Sequence, residues 1–158
     1  MKIMRFLGNI EAKTDAKGRA FLPSAFRRVL QAAGEESLML RKDIFQDCLV
    51  LYPQSVWNEH EDALRKRLSR WNKQQQHIFR QFVREAIEVK LDGNGRFLIP
   101  KRYLSMAEIE QDIVFIGVGN TIEIWSGKNA AEPFVDDETF SKTIEELMSD
   151  SNDTDDND

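Results

Sequence analysis

Two short segments carry side chains whose types and spacing could do chemistry. Both read Asp-x-x-Gly-Arg, one from Asp15 to Arg19 and the other from Asp92 to Arg96. An arginine can donate two parallel hydrogen bonds to O6 and N7 of guanine, and a good contact of this kind is worth roughly 1–3 kcal/mol of discrimination. A pair of aspartates could instead bind a metal ion. The segments therefore suggest either recognition of a nucleic acid or its metal-dependent cleavage.

The enzymatic alternative is a nuclease in which Asp15 and Asp92 share one metal ion. Each aspartate shares its turn with an arginine and not with further carboxylates, which disfavours such a centre. The two histidines, His60 and His77, have no Cys or His partner at metal-ligand spacing. The run Gly117-Val118-Gly119 is not followed by the helix signature of a phosphate-binding loop. We therefore expect no enzyme, no metal, no cofactor and no small-molecule substrate.

The two segments have the composition of tight hairpin turns. Gly18 and Gly95 supply the positive φ that such a turn needs, and Asp15 and Asp92 can accept hydrogen bonds from the turn's own amides. A two-stranded ribbon fits the major groove of DNA, so an arginine at a hairpin tip is well placed to reach a base. The simpler alternative is that each Asp–Arg pair only closes its own turn as a surface ion pair. We expect the aspartates and glycines to structure the turns.

Both turns belong to an internal repeat. When Ile10 is aligned with Ile87, the segments 10–23 and 87–100 share seven of fourteen positions without a gap, which is not a chance similarity. A looser similarity continues into two later segments of each unit. Each unit therefore reads as strand, turn, strand, Pro, short helix, strand and strand. The later segments that resemble each other are 37–40 with 112–115 and 49–52 with 122–125.

Helical periodicity marks the remaining elements. Ser24 can cap a helix that ends at Gly34. Residues 54–86 show the three-to-four spacing of two amphipathic helices, with a break near Asn72, which is itself a suitable N-cap. Units of roughly 45 residues bury too little apolar surface to fold alone. The two units must therefore share a core with each other or with other chains.

Charge is distributed unevenly along the chain. The net charge is −5, but the segment from Ala131 onward contains eleven acids against Lys142 alone and carries −10, which leaves +5 for the segment 1–130. Such asymmetry suggests a polyanionic partner and a solvated tail. Residues 149–158 have no apolar side chain, so we expect them to be disordered. Residues 134–148 could form one or two amphipathic turns that dock weakly on the core.

Several features bear on the compartment. Cys48 is the single cysteine, lies in an apolar run and cannot form an internal disulfide, so it is expected to be a small buried residue in a reducing compartment. Residues 1–5 lack the features of a signal peptide, and no apolar run approaches the ~20 residues that span a bilayer. We expect a cytoplasmic, nucleoid-associated protein without a membrane partner.

The two turns, their spacing and the run from Gly117 to Ser126 resemble the MraZ family of transcriptional regulators, whose repeat belongs to the SpoVT/AbrB-like, swapped-hairpin group. The similarity covers about residues 4–130 and leaves the acidic tail outside it. It implies a β-rich α+β fold in which two repeats interlock their hairpins into one β-barrel. It also implies a ring-like homo-oligomer that binds double-stranded DNA at direct repeats upstream of a cell-division and cell-wall gene cluster, including its own gene.

The resemblance also implies which residues contact DNA. These are Lys17 and Arg19 in the first repeat and Arg96 in the second, where Asn94 stands in the position of Lys17. Further basic residues near the first turn would bind phosphates. Such contacts determine affinity and not sequence preference. The residues expected to contact phosphates are Lys13, Lys17, Arg27 and Arg28.

Other conspicuous residues favour ordinary structural roles. The basic cluster at residues 65–70 is expected to be a solvated helix face, and Trp57, Trp71 and Trp125 to be anchors of the core or of a subunit interface. The alternative function is an oligomeric scaffold whose helices at 54–86 and acidic tail recruit partners without contacting DNA. The expected segments are a first repeat at 8–55, a helical insertion at 56–83, a second repeat at 84–127 and a largely disordered tail at 131–158.

Overall fold

The computed structural model describes residues 4–132 and 134–155, in which one order of elements occurs twice. This order confirms the expected α+β class. The first unit contains β1 (Phe6–Lys13), β2 (Arg19–Phe21), α1 (Ser24–Ala33), β3 (Leu38–Lys42) and β4 (Leu49–Pro53), followed by α2 (Gln54–Arg67) and α3 (Lys73–Arg84). The second contains β5 (Ile87–Val89), β6 (Arg96–Leu98), α4 (Lys101–Met106), β7 (Asp112–Gly119) and β8 (Ile122–Ser126), followed by α5 (Gly127–Ala130) and α6 (Asp137–Asp155).

The strands of the two units interlock. The first strand of each unit pairs antiparallel with the third strand of the other, so β1 lies against β7 and β5 against β3, while β4 pairs with β8. The strand order β1-β7-β8-β4-β3-β5 forms one sheet, and β2 and β6 form a separate two-stranded ribbon. Within the described residues the larger ladder ends at β1 and β5, so the closed barrel implied by the resemblance is not shown by these pairings.

Both units contribute to a single core, as expected for units too small to fold alone. Phe6 packs edge-on against Phe26 at 5.7 Å between ring centroids, and Phe97 packs against Phe115 at 6.3 Å. Burying a side chain of this size contributes roughly 1.5–3 kcal/mol to stability. Cys48 is buried as expected, and the loss of solvation raises the pKa of its thiol well above its usual range.

The helix ends show which local sequence signals determine where a helix begins and where it ends. Gly34 has a φ of +71° and its N–H donates to the carbonyls of the last turn, so the predicted end of α1 is confirmed. The side chain of Asn72 accepts a hydrogen bond from N of Gln75, which confirms the predicted cap of α3. The prediction that Ser24 caps α1 is wrong, because Pro23 occupies the N-cap position and Ser24 is already helical. Proline has the φ that a chain entering a helix needs.

Aromatic stacking anchors the helical segment that follows the first unit. The rings of Trp57 and Phe82 are stacked at 5.1 Å and 6°, and the guanidinium of Arg41 lies over the Phe82 ring at 5.0 Å. Trp57 and Trp125 are buried in the core, whereas the side chain of Trp71 is 95% exposed. A core position is therefore confirmed for the first two, whereas Trp71 has no core position in this chain and its expected role at a subunit interface stays a prediction.

The acidic tail is helical over α6, which includes the amphipathic turns expected within residues 134–148 and continues into residues 149–155, where the sequence suggests disorder. Asp136 accepts a hydrogen bond from N of Thr139 at 2.6 Å and caps the helix, and Asp137 and Glu138 place negative charge in its first turn, which the helix dipole favours. Phe134 packs on Trp125 at 4.8 Å between centroids. The apolar side chains of α6 are exposed, so the expected docking of this segment on the core is not observed. Residues 156–158 lie outside the described residues.

Among the described helices, none combines the length and the apolar character that crossing a membrane requires.

Candidate nucleic-acid interface

The first turn (Asp15–Arg19) is organised by the carboxylate of Asp15. Its Oδ1 accepts hydrogen bonds from the backbone N of Lys17 and of Arg19, both at 2.9 Å. Its Oδ2 accepts a third bond from Nε of Arg19 at 2.8 Å. One aspartate thus fixes both the backbone of the turn and the direction of the arginine side chain.

The second turn (Asp92–Arg96) repeats this arrangement. Oδ1 of Asp92 accepts from N of Asn94 at 2.8 Å and from N of Arg96 at 3.0 Å. Oδ2 accepts from Nε of Arg96 at 3.0 Å. The exchange of Lys17 for Asn94 leaves the geometry of the turn unchanged, because that residue contributes only its backbone N–H.

Glycine is required in both turns. Gly18 has a φ of +88° and Gly95 a φ of +81°, which side-chain-bearing residues rarely adopt. A Cβ built on Gly18 would lie 2.6 Å from the carbonyl oxygen of Ile99. The turns are also tied to the opposite repeat, because N of Ile99 donates to O of Gly18 and N of Leu22 donates to O of Gly95, both at 2.9 Å. The two turns are therefore held in one rigid unit.

Both turn carboxylates are stabilised in the ionised form. The pKa of Asp15 lies below its usual value, chiefly because the backbone N–H of Arg19 donates to it. The pKa of Asp92 is lowered in the same way by the backbone N–H of Arg96. A carboxylate that accepts several hydrogen bonds loses them on protonation. Both arginines are therefore held by charged aspartates at neutral pH.

The β2–β6 ribbon places both arginines on the same side. Arg19 lies opposite Leu98 and Phe21 lies opposite Arg96, with Ala20 and Phe97 paired between them. Side chains alternate across a strand and directly opposed residues share a face. Because Ala20 and Phe97 are buried, the other four side chains form an outward surface, which we call the ribbon face. The ribbon face consists of Arg19, Phe21, Arg96 and Leu98.

Two members of the ribbon face were not identified from the sequence. Phe21 is 58% exposed and Leu98 is 51% exposed, and Arg96 lies over the Phe21 ring at 5.8 Å. The signal that could have found them is the alternation of β2 and β6, in which each of these apolar residues stands two positions after an arginine. Apolar side chains beside base-reading arginines can contact thymine methyl groups.

The terminal nitrogens of both arginines remain free to bind a ligand. Arg19 and Arg96 each use Nε in the bond to their aspartate. Within the described residues their terminal amino groups make no hydrogen bond. An arginine held in this way presents two parallel donors to an incoming planar acceptor.

The other basic residues that the sequence predicts to contact DNA lie at different places around the ribbon face. Lys17 is exposed at the tip of the first turn, and Arg28 is exposed on α1. Lys13 ends β1 and lies 3.9 Å from Asp112, with both side chains 71% exposed, so the contact is weak. Arg27 is half-buried and packs on Gly95 of the second turn. The structure thus brings Lys17 to the first turn and Arg27 to the second.

A further basic residue lies near the first turn and was not identified from the sequence. Lys101, at the start of α4, lines a groove with Lys17 and Leu104, and Glu110 lies in the same groove. In the alignment of the two repeats, Ser24 stands in the position of Lys101.

Comparison with known proteins agrees with this architecture. The sequence model of one family, described as "MraZ protein, putative antitoxin-like", matches the chain twice, over residues 5–81 and over residues 82–158. The two matches are offset from each other by the same distance along the chain as the two copies of the internal repeat.

The chain belongs to the MraZ family.

MraZ relatives are similar to this chain over nearly its whole length. "Transcriptional regulator MraZ" of Phocaeicola vulgatus is 62% identical over 149 residues, which cover 94% of this chain and 97% of the relative. The protein of the same name from Bacteroides thetaiotaomicron is 57% identical over 150 residues, covering 95% and 96%. That of Clostridium tetani is 38% identical over 144 residues, covering 91% and 96%. These relatives are regulators and not enzymes, so the prediction of a non-enzymatic regulator is confirmed at this level.

The MraZ match changes the interpretation of the tail. The second match reaches residue 158 and includes α6, so the prediction that the acidic tail lies outside the resemblance is wrong. The first match likewise includes α2 and most of α3. Each MraZ repeat therefore ends in a helical segment, basic at 65–70 in the first repeat and acidic in the second.

Proposed function

We propose that this MraZ family member is a transcriptional regulator that binds double-stranded DNA in a sequence-specific manner through the ribbon face. The observation that carries the proposal is the pair of arginines on this face, each fixed by an aspartate through Nε. In the described part of the chain, neither arginine uses its terminal amino groups in a hydrogen bond. Because these side chains are already oriented, binding requires little further ordering of long, flexible groups.

The ribbon would enter the major groove with its outward face toward the base edges. A two-stranded ribbon fits this groove, and an arginine there pairs best with guanine. Arg19 and Arg96 would each read a guanine, and Phe21 and Leu98 would contact thymine methyl groups. Specificity therefore depends on four side chains of one small surface.

Affinity for the phosphate backbone would come from basic side chains around the ribbon. Lys13, Lys17, Arg27 and Arg28 belong to the segment 1–130, which carries a net charge of +5. Contacts of this kind release counterions, so they weaken steeply with salt and do not depend on sequence. Asp15, Gly18, Asp92 and Gly95 would act indirectly, by holding the turns.

Useful affinity would require several copies of the chain in a ring-like homo-oligomer. One ribbon buries a small area, and linked copies on repeated sites gain from high effective concentration. Exposed apolar side chains support self-association: Trp71 is 95% exposed and Ile78 is 51% exposed on the helical segment, and α6 exposes Phe140, Ile144 and Leu147. Light scattering is expected to show one species of many chains, and a monomer at micromolar concentration would contradict the proposal.

The target that suits such an assembly is a set of direct repeats, because subunits arranged head to tail in a ring share one orientation. We place these repeats upstream of a cell-division and cell-wall gene cluster that includes the protein's own gene. This proposal implies a cytoplasmic, nucleoid-associated protein.

Footprinting on the DNA upstream of the protein's own gene tests the proposal. We expect protection of spaced direct repeats that disappears with the Arg19→Ala variant. Lys17→Ala should weaken binding to operator and random duplex equally, because it removes a phosphate contact. The scaffold alternative predicts no salt-sensitive retention of any duplex on a filter, and that result would overturn the proposal.

A further inference from the structure

The two turns are alike in backbone but differ in the residues around them. The tip residue is Lys17 in the first turn and Asn94 in the second. The residue packed against the turn glycine also differs. Leu104 lies against Gly18, with Cδ1 3.3 Å from a Cβ built there, and Arg27 lies against Gly95, with Nη1 2.5 Å from the corresponding Cβ. Leu104 and Arg27 occupy equivalent positions in the alignment of the two repeats.

Charge is therefore distributed differently around the two turns. The first turn carries Lys17 at its tip, and the adjoining groove holds Lys101 together with Glu110. The second turn has Asn94 at the tip and Ser24 in the position of Lys101. Arg27 comes from α1 of the opposite repeat and lies beside the second turn only because the strands β2 and β6 pair.

Arg27 has the donors that an anion would need. No hydrogen bond or ion pair joins the side chain of Arg27 to any other part of the described chain, and its Nε is buried without a partner. Arg19 and Arg96, by contrast, each donate to an aspartate. A buried N–H without an acceptor is unfavourable, and in native structures such a group is usually satisfied by an ordered water, an ion or a ligand.

We propose that Arg27 binds a DNA phosphate at the second turn and so replaces the lysine which that turn lacks. The inference rests on the proposed function. Phosphate is bound by the lysine Lys17 at the first turn and by the arginine Arg27 at the second. Its ligand is a phosphate oxygen of the backbone flanking the base contacted by Arg96. The guanidinium can donate two hydrogen bonds to phosphate, whereas Lys17 acts as a point charge.

The simpler explanation is that Arg27 only fills space against Gly95. Leucine performs that packing at the equivalent position of the first turn, so Arg27→Leu keeps an apolar contact and removes the charge. Asn94→Lys returns a lysine to the tip, where only the backbone N–H of the residue takes part in the turn. The variant carrying both changes gives the second turn the lysine and the leucine that the first turn has at the two equivalent positions.

The test compares the wild type, Arg27→Leu, Asn94→Lys and the double variant on random duplex over a series of salt concentrations. We expect Arg27→Leu to weaken binding roughly three- to tenfold at 100 mM salt and to lower the salt slope by about one per bound subunit. The double variant should recover the wild-type slope. Thermal melts and light scattering check that each variant has the fold and assembly of the wild type.

Two results would overturn the inference. One is an unchanged salt slope for Arg27→Leu, and the other is a weaker Arg27→Leu that Asn94→Lys does not restore. Arg19→Ala serves as the control for the proposed function itself. If Arg19→Ala binds operator normally, the ribbon face is not the recognition surface. If Arg19→Ala loses binding while Arg27→Leu does not, only the role of Arg27 is wrong.

Discussion

The first and second turns share one backbone and one carboxylate arrangement, but they obtain positive charge from different places. Asp15 and Asp92 each accept two backbone N–H bonds and one Nε bond, and the shortest of these bonds is 2.8 Å and the longest 3.0 Å. The tip residues, Lys17 and Asn94, contribute their backbone N–H groups to the hydrogen bonds described within the turns. Both turns therefore keep the same backbone and the same aspartate hydrogen bonds, whereas the basic residue beside each turn comes from a different position in the repeat.

The helical segments that end the two repeats differ more. The first is held on the sheet by Tyr52 of β4, which packs edge-on against Trp57, and by Arg41 of β3, which lies over the Phe82 ring. It is basic at residues 65–70. The second packs on the sheet through Phe134, which contacts Trp125. The side chains described in α6 are exposed and include four acids against one lysine. One repeat thus ends in a packed basic segment and the other in a solvated acidic helix.

The largest effect on stability is expected at the turn glycines. Gly18→Ala should destabilise the fold by about 1–2 kcal/mol for the positive φ, and by at least ~1 kcal/mol more because the new Cβ meets the backbone oxygen of Ile99. Gly95→Ala should cost less, since its Cβ meets the flexible side chain of Arg27. Denaturant unfolding measures both.

Gly93→Ala is the matched control for the two turn variants, because a Cβ at Gly93 has open space and no positive φ is involved. It should leave the free energy of unfolding nearly unchanged. Equal losses for Gly18→Ala and Gly95→Ala would show that the two turns are packed alike and would break the comparison.

A smaller effect is expected from the turn carboxylates at low pH. The pKa of Asp15 and of Asp92 is lower in the folded chain than the ordinary 3.8, so the unfolded chain binds more protons between the two values. The stabilisation is complete above 3.8 and is lost as the pH falls through the lowered folded pKa. Thermal melts should show a shallower acid dependence for Asp15→Asn and Asp92→Asn, and the two variants should agree. A steep dependence retained in either variant would contradict this.

The smallest effect is expected from removal of α6. Truncation after Val135 keeps the contact of Phe134 with Trp125 and removes most of the tail's net charge of −10. Because the tail lowers the potential near the basic surfaces, truncation should tighten binding to random duplex at 50 mM salt. The gain should vanish at physiological salt, where the Debye length is about 8 Å. Coincident salt titrations would leave the tail only a role in solubility.

Local signals predicted much of this molecule, and contacts between the repeats account for most of what they missed. Gly34 and Asn72 end and begin their helices as the sequence indicates, because each acts within one turn of backbone. The packing of Arg27 on Gly95 depends on the pairing of β2 with β6, which no local pattern contains. The helical turns expected within residues 134–148 are present in α6, whereas the continuation of the helix to Asp155 was not predicted, because that part of the tail has no apolar side chain.

The exposure of Phe21 and Leu98 was missed for a related reason. Apolar residues in strands are usually assigned to the core, and the burial of Ala20 and Phe97 shows that the opposite face of each strand was the one covered. The sequence therefore identified the two arginines of the ribbon face and neither of its two apolar residues.

The most direct test of the central claim is the ratio of operator to random-duplex affinity for Arg19→Ala and Arg19→Lys. Arg19→Ala should weaken operator binding more than tenfold with little change in thermal midpoint, because an exposed ion pair contributes little to folding. Arg19→Lys should keep its affinity for random duplex and lose most of its preference for operator, since lysine cannot donate the paired bonds. An Arg19→Ala variant that binds operator as the wild type does would contradict the account.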